Sequence, residues 1–426
     1  MALPAPASIP IPDDLLEDIF LRLPNLDTLA CASATCTSFW RVIKGRGFRC
    51  RFRALHRPPL LGFMDVDGFH PAQAPHPSAP LAGALGPSLA DFSFVPAVVT
   101  SSSNVPPNEE GPRWRPRDAR DGRILLDWVS LLNRRELAEF YNDGRRLTRA
   151  ERERCNAADF HLAICDPLSR RYVLLPTIPE DLAAQPQDGL WEFEPVLAPK
   201  TKNDGEEEPF KVICIARHRK KLVLFVFQST TMQWYVVESP DRLSLDDMSC
   251  FDCVRGCFYW THLWFWSDHL MVLDTHTLKF STINFLTGYH RQLGDTGPSY
   301  DNRRPSAVVE GNKGAIEMFS LVCQHGSYAL HHTSLQNNSH KWKLQKIVQL
   351  PGQYHAYSIS TVGAAEGFLF FHGALLGIEF GNVDCYSMHI KTYEIAKVCT
   401  KMVHLFDRKR AIPYFGFPRL LSEPTI

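Results

Sequence analysis

From Gly122 to the end of the chain, short apolar or alternating runs follow one another at intervals too brief for helices. Among them are Ile124-Leu-Leu-Asp-Trp-Val129, Phe160-His-Leu-Ala-Ile-Cys165, Lys211-Val-Ile-Cys-Ile215, Leu222-Val-Leu-Phe-Val-Phe227, Phe368-Leu-Phe-Phe371 and Ile412-Pro-Tyr-Phe-Gly-Phe417. Runs of this length and composition, bounded by turn residues, are the signature of an all-β domain. Roughly twenty of them over about 360 residues suit a β-propeller better than one sandwich, because four-stranded blades absorb that many strands without long free edges; about six blades are expected.

A weak internal repeat supports this. Cys165-Asp-Pro-Leu-Ser-Arg-Arg-Tyr-Val173, Leu273-Asp-Thr-His-Thr-Leu-Lys-Phe-Ser281 and Tyr386-Ser-Met-His-Ile-Lys-Thr-Tyr-Glu394 share one design. In each, an apolar strand ends at a polar turn and an aromatic opens the next strand, as a hairpin within a blade requires. The Trp-Asp and Gly-His marks of WD repeats and the Gly-Gly doublets of kelch repeats are absent, so neither regular class is assigned.

The N-terminus has a different period. In Ile9-Pro-Ile-Pro-Asp-Asp-Leu-Leu-Glu-Asp-Ile-Phe-Leu-Arg-Leu-Pro24, Pro12 fits the first helical position and Asp13 and Asp14 suit the first turn. Leu15, Leu16, Ile19, Phe20 and Leu23 form one apolar face. Pro24 stops this helix; Asn25 or Asp27 caps a second with Leu26, Leu29 and Ala30, and Thr35 or Thr37 opens a third with Phe39, Trp40 and Ile43, ended by Gly45 and Gly47. Three short helices bury too little surface to be strongly stable alone, which leaves apolar surface for a partner.

This segment resembles an F-box: Ile11-Pro12, Leu15-Leu16, Leu23-Pro24, Ser33, Cys36 and Trp40-Arg41 meet the family's pattern, with Ile11 in place of the usual leucine and Ala34 where valine is commoner. The resemblance covers about residues 9 to 48. It implies docking on a Skp-family adaptor of a cullin ubiquitin ligase through Ile11, Pro12, Leu15, Leu16, Ile19, Leu23, Pro24, Leu29 and Trp40. The remainder is similar to the F-box-associated region of plant F-box proteins, through Leu60-Leu-Gly-Phe63, Gly122-Arg-Ile-Leu-Leu126, Cys165 to Arg171 with Leu175-Pro176, Phe258-Tyr-Trp260 and Ile412-Pro-Tyr414. That implies an irregular propeller. The expected organisation is an F-box at 9–48, a connector at 49–59 and a β-propeller-like substrate-binding domain at 60–420.

Around the connector, Arg46, Arg49, Arg51, Arg53 and Arg57 alternate with Phe48, Phe52 and Leu55. Such interleaving suits a nucleic-acid patch or a solvated helix tail. The balance of 46 Lys and Arg against 46 Asp and Glu favours the tail, and no nucleic-acid or membrane partner is expected. The proline-rich stretches from His70 to Pro87 and Val105 to Pro116 read as loops, with short strands at Leu60 to Met64 and Asp91 to Pro96. Twelve irregularly spaced cysteines, no apolar leader and no run of membrane-spanning length point to reduced thiols in the cytoplasm or nucleus.

Chemistry-bearing motifs are sparse. Cys250, Cys253 and Cys257, with His262 and His269, have the only zinc-like spacing, but Phe251, Val254 and Phe258 alternate with them as in a buried strand. His325, His331 and His332 have no carboxylate or thiol at a recognisable spacing. No phosphate loop, nucleophile elbow or His-Glu-x-x-His helix occurs, so neither catalysis nor a metal or other cofactor is expected.

The expected function is therefore that of a non-catalytic ligase adaptor, with a target protein held on one rim of the propeller. The insertion at 133–154, including Arg145, Arg146 and Arg149, and the loops at 198–209 and 288–305 are the expected contributors. Two alternatives stand beside it: a propeller enzyme or small-ligand receptor with a helical cap, and an F-box protein acting outside a ligase.

Overall fold

A computed structural model describes residues 11–23, 26–65, 68–98, 113–129, 160–183, 190–199, 210–218, 222–238, 251–260, 269–284, 306–311, 314–324, 327–336, 341–351, 357–375, 380–404, 412–418 and 421. Four helices come first: α1 (Asp13–Leu21), α2 (Leu26–Thr35), α3 (Thr37–Lys44) and α4 (Arg46–Leu55). Pro12 sits one position earlier than expected, as the N-cap of α1, and its carbonyl accepts from the Leu15 and Leu16 amides. Gly45 does end α3, but the chain re-enters a helix at once with Gly47 inside it, so the module has four helices and not three.

The fourth helix forms because it completes both a core and a charge pattern. Phe48 and Phe52 join Leu16, Phe20, Leu29 and Ile43 in one buried cluster, with Phe48 edge-on to Phe20 at 6.4 Å. Arg51 pairs with Glu17 and Asp18 of α1, so the acids of one helix answer a base of the other. Segment 49–59 thus begins inside a packed helix. Its far end is anchored too, where Arg57 Nη1 donates to the Glu366 carbonyl at 2.8 Å.

The β region forms a six-blade propeller. The sixth blade begins the chain's β structure with β1 (Leu60–Asp65) and β2 (Gly68–Pro71), over which helix α5 (Ala79–Ala90) packs. Blade one contains β3 (Arg113–Arg120), β4 (Arg123–Val129), β5 (Leu162–Asp166) and β6 (Arg171–Leu174). Blade two contains β7 (Leu190–Leu197), β8 (Lys211–His218), β9 (Leu222–Gln228) and β10 (Gln233–Glu238). Blade three is β11 (Phe251–Val254), β12 (Cys257–Trp260), β13 (His269–Asp274) and β14 (Lys279–Asn284); blade four is β15 (Ser306–Glu310), β16 (Ile316–Gln324), β17 (Ser327–Gln336) and β18 (Lys341–Gln349). Blade five is β19 (Tyr357–Ala365), β20 (Phe368–Leu375), β21 (Phe380–His389) and β22 (Ile395–His404). The ring closes when β23 (Ile412–Phe415) returns to pair with β1, giving a sixth sheet in the order β2-β1-β23.

Each blade of four is an antiparallel meander whose first strand lies innermost, as the contacts of β3 with β7, β11 with β15 and β15 with β19 show. In the sixth blade β23 takes that place, against β3. Gly62 is required in β1: its φ is +150°, and a Cβ there would collide with the His70 carbonyl of β2.

The repeated hairpins join the third and fourth strands of blades one, three and five. Asp166 Oδ1 accepts from the amides of Leu168 and Ser169, and Asp274 Oδ1 from those of His276 and Thr277. His389 Nδ1 takes the same part for Thr392 N–H. Four positions after each of these residues the chain turns left-handed, at Arg170 (φ 54°), Leu278 (φ 54°) and Tyr393 (φ 61°). The divergent repeat is therefore one turn geometry met by different residues.

Three local expectations differ from the structure. Within the stretch expected as a loop, residues 79–90 are helix α5, because Pro80 fits a helix start and Ala82, Leu85 and Leu89 share one buried face. Residues 91–96 are a turn and not a strand: Asp91 Oδ1 accepts from the Ser93 amide and Val95 N–H donates to Phe92 O. Strands β3, β7 and β15 escape the pattern of apolar runs altogether.

Candidate docking surface

Strand-like sequence fails at β3 and β7 because these inner strands carry charge that is neutralised only in the ring. Arg115 donates to both oxygens of Asp127, at 2.6 and 2.7 Å, and Arg117 reaches Glu194 of blade two at 2.6 Å. Asp118 Oδ2 accepts from Leu197 N–H at 2.9 Å, crossing from blade one to blade two. Asp252 of blade three does this twice, taking Val308 N–H of blade four at 2.7 Å and Ala364 N–H of blade five at 3.2 Å. Buried amides that face another blade have no ladder partner, and a carboxylate supplies one. These groups are spent on holding the blades together.

His332 has the carboxylate partner that spacing along the chain did not reveal. Its Nε2 lies 2.8 Å from Glu317 Oε2 across the β16–β17 ladder, and its Nδ1 lies 3.0 Å from the Tyr393 hydroxyl of blade five. Donation from Nε2 to the carboxylate and acceptance at Nδ1 from the hydroxyl satisfy both contacts. Phe319 stacks on the ring at 4.4 Å, and the trio links blade four to blade five.

Around the zinc-like spacing, burial raises the Cys257 thiol above its ordinary value, as in a structural cysteine. Among the described residues no three His, Cys, Asp or Glu groups stand together in a metal-holding arrangement. Cys250 and His262 lie outside those residues, as do Arg145, Arg146 and Arg149. The flanks of the expected rim loops are described, and they differ: segment 130–159 joins the second and third strands of blade one and 285–305 joins blade three to blade four, whereas 200–209 joins the first and second strands of blade two. In an antiparallel meander the last of these leaves its blade from the opposite face, so the flanks of the three do not open on one face.

Among the described residues, several large apolar side chains are exposed together on the helical module. Ile11, just before α1, and Leu15 and Ile19, four residues apart along one side of it, are 52%, 56% and 51% exposed; Trp40 of α3 is 42% exposed. Leu16 and Phe20, one step round the helix, are buried instead. Arg41, next to Trp40, donates to both Asp13 oxygens at 3.0 and 2.9 Å and so pins α3 to the start of α1.

The residues implied by the F-box resemblance thus fall into two sets. Ile11, Pro12, Leu15, Ile19 and Trp40 face solvent. Leu16 and Leu29 are in the core, Leu23 packs at its margin, and Pro24 lies outside the described residues. Two core residues that no N-terminal pattern contains are Phe417 and Leu421, which follow β23 and enter the cluster of Leu16, Phe20 and Phe52.

No family model and no curated protein matches the chain. Among solved structures it is similar to the SapL1 lectin in complex with alpha methyl fucoside, with a TM-score of 0.28 and 10% identity over 65% of this chain and 76% of that one. It is also similar to the Bombyx mori GH32 beta-fructofuranosidase, at TM-score 0.30 and 9% identity, and covers 67% of this chain but only 61% of that enzyme. For a PL25 ulvan lyase the TM-score is 0.32 at 9% identity, over 71% and 78% of the two chains. Likeness at this level carries no argument about activity or ligand. Among the described residues no helix is long and apolar enough to cross a membrane.

Proposed function

We propose that this chain is the substrate-recognition adaptor of a Skp-cullin-F-box ubiquitin ligase. The helical module docks a Skp-family subunit and the propeller presents a target protein for ubiquitination. The observation that carries the reading is the uncovered row Ile11, Leu15, Ile19 with Trp40, on a module whose interior is already filled by Leu16, Phe20, Leu29, Ile43, Phe48 and Phe52. Large apolar side chains in sequence positions that match an F-box, left out of a core that is complete without them, are what a permanent partner would cover.

In this role the chain performs no bond chemistry. Holding a target beside a charged ubiquitin-conjugating enzyme turns a bimolecular encounter into a nearly intramolecular one, and the gain is in effective concentration. Target recognition is assigned to the propeller, with Arg145, Arg146 and Arg149 as the basic contributors that would favour an acidic or phosphorylated patch.

The test is binding of the purified full chain to a purified Skp-family subunit by calorimetry. A Leu15→Ala/Ile19→Ala variant should lose about thirty- to a thousand-fold in affinity, as for truncation of anchors worth roughly 2 to 4 kcal/mol, with an unchanged melting temperature. Equal affinity for the two proteins, or no binding by the unaltered chain, overturns the proposal.

A further inference from the structure

Strands β21 and β22 place Cys385 directly opposite Cys399 in antiparallel register. Directly opposed residues of an antiparallel pair have Cα atoms about 4.5 to 5.5 Å apart, within the roughly 4.4 to 6.8 Å that a disulfide spans. The pair stands beside a β-bulge, where the register shifts between Cys385 and Tyr386, and the two thiols are hydrogen-bonded to each other, which brings the sulfurs together. Both are free thiols, and both lie in the apolar cluster with Phe63, Met64 and Phe370 that packs blade five against blade six.

The two thiols are hydrogen-bonded to each other, so that one can ionise at the other's expense. The hydrogen bond from Cys399 holds the Cys385 thiol below its ordinary value against the opposing effect of burial, and the Lys401 ammonium helps. The same bond, with burial, pushes the Cys399 thiol up. Cys165, in the same cluster, and Cys214, in blade two, are raised by burial, as inert structural thiols are.

Cys399 also sits within the segment on which the ring closes. Gln73, just past β2, donates its amide to the Val398 carbonyl at 2.7 Å and accepts from Thr400 N–H through Oε1 at 3.3 Å. Lys401 Nζ reaches Asp65 Oδ2 of β1 at 2.8 Å. The dithiol lies beneath the seam between blades five and six.

We propose that Cys385 and Cys399 are a redox-modification site that a peroxide oxidises to an intrachain disulfide. The Cys385 thiolate attacks one oxygen of hydrogen peroxide, breaks the O–O bond and becomes a sulfenic acid, while the released hydroxide takes a proton and leaves as water. Cys399 sulfur then attacks Cys385 sulfur and expels the hydroxyl group, which leaves as a second water with the Cys399 proton. Two thiols and one peroxide give one disulfide and two waters, and a dithiol reductant reverses the change. Peroxide is small and uncharged, which suits it to a buried pair. The bond ties β21 to β22 and closes a loop of chain, so it stabilises blade five, on its side of the seam, against unfolding.

The experiment uses the full chain, reduced and then exposed to hydrogen peroxide, denatured, alkylated and mapped by mass spectrometry. The expected result is a cross-link between the peptides holding Cys385 and Cys399, reversed by dithiothreitol, with a melting temperature a few degrees above that of the reduced protein. Cys385→Ser should abolish both the cross-link and the shift, while Cys31→Ser should leave both in place. Should Cys385→Ser fail to fold, Cys399→Ala serves the same purpose, and the map of the unaltered chain decides by itself. Recovery of Cys385 and Cys399 as alkylated thiols, under conditions that oxidise the exposed Cys31 and Cys36, overturns the proposal. So does over-oxidation of Cys385 with Cys399 still free.

Discussion

The Phe417 ring, just past the last propeller strand, sits edge-on to Phe52 of α4, with centroids 6.1 Å apart and planes at 71°. Two ends of the chain meet there. Because β23 closes the ring and Phe417 and Leu421 continue into the helical core, the module's interior and the propeller's closure are parts of one packing problem.

Phe417→Ala should therefore weaken a unit that is remote from it in sequence. Truncating a buried phenylalanine costs about 3 to 5 kcal/mol, more than a small helical module can lose and stay ordered. Hydrogen exchange should show faster exchange in α1 and α4 with little change in the inner strands of blades two to four. Equal protection of α1 and α4 in variant and parent would refute the shared core.

Along α1, neighbouring residues should behave oppositely. Leu16→Ala empties a core position and should cost about 2 to 5 kcal/mol of stability. Leu15→Ala, at an exposed position, should stay within roughly 0.5 kcal/mol of the parent. Denaturant titration of the two single variants reads the difference directly, and a Leu15→Ala protein as unstable as Leu16→Ala would mean that the outer face is covered within the chain itself.

Asp252 accepts amides from two other blades, so Asp252→Ala leaves Val308 N–H and Ala364 N–H unpaired. At about 1 to 3 kcal/mol for each stranded donor, the denaturation midpoint should fall as for a loss of roughly 2 to 6 kcal/mol. An unchanged midpoint would show that water replaces the carboxylate and that the bridge is dispensable.

Acid should weaken the seam. Burial alone would raise the Asp65 carboxyl, but the contact with His70 and the Lys401 charge outweigh it and hold the group well below the usual carboxylate range. A carboxylate depressed in the folded state contributes stability that is fully present above its unfolded value, about 4, and is lost as pH falls toward the folded one. Asp65→Asn should therefore be less stable than the parent at pH 7, with a gap that narrows below about pH 4. Melting curves from pH 2 to 7 measure this, and a gap that widens in acid would give the effect the wrong sign.

What the sequence determined by itself is what local physics encodes. Middle strands of the blades such as Leu222–Gln228 and Phe368–Leu375 announce themselves because apolar surface lines both of their faces, and the hairpins at Asp166 and Asp274 do so through turn chemistry. The helical N-terminus was equally legible. Its apolar arc was not resolved into halves, because a period of 3.6 residues shows that Leu15, Leu16, Ile19 and Phe20 share a side but not which of them meets α3, α4 and Phe417. Only the tertiary structure decided that Leu16 and Phe20 are core and that Leu15 and Ile19 are surface. It also decided the inner strands: residues up to Pro116 read as a loop and Leu190–Leu197 is missing from the apolar runs, since charge and proline disfavour a buried strand until Arg117 meets Glu194 and Asp118 meets the Leu197 amide across a blade boundary. A role for residues 412–417 in closing the ring is expected from the sequence, but that their partner is Leu60–Asp65 was decided only by the tertiary structure, because no local pattern records a pairing between segments so far apart in the chain.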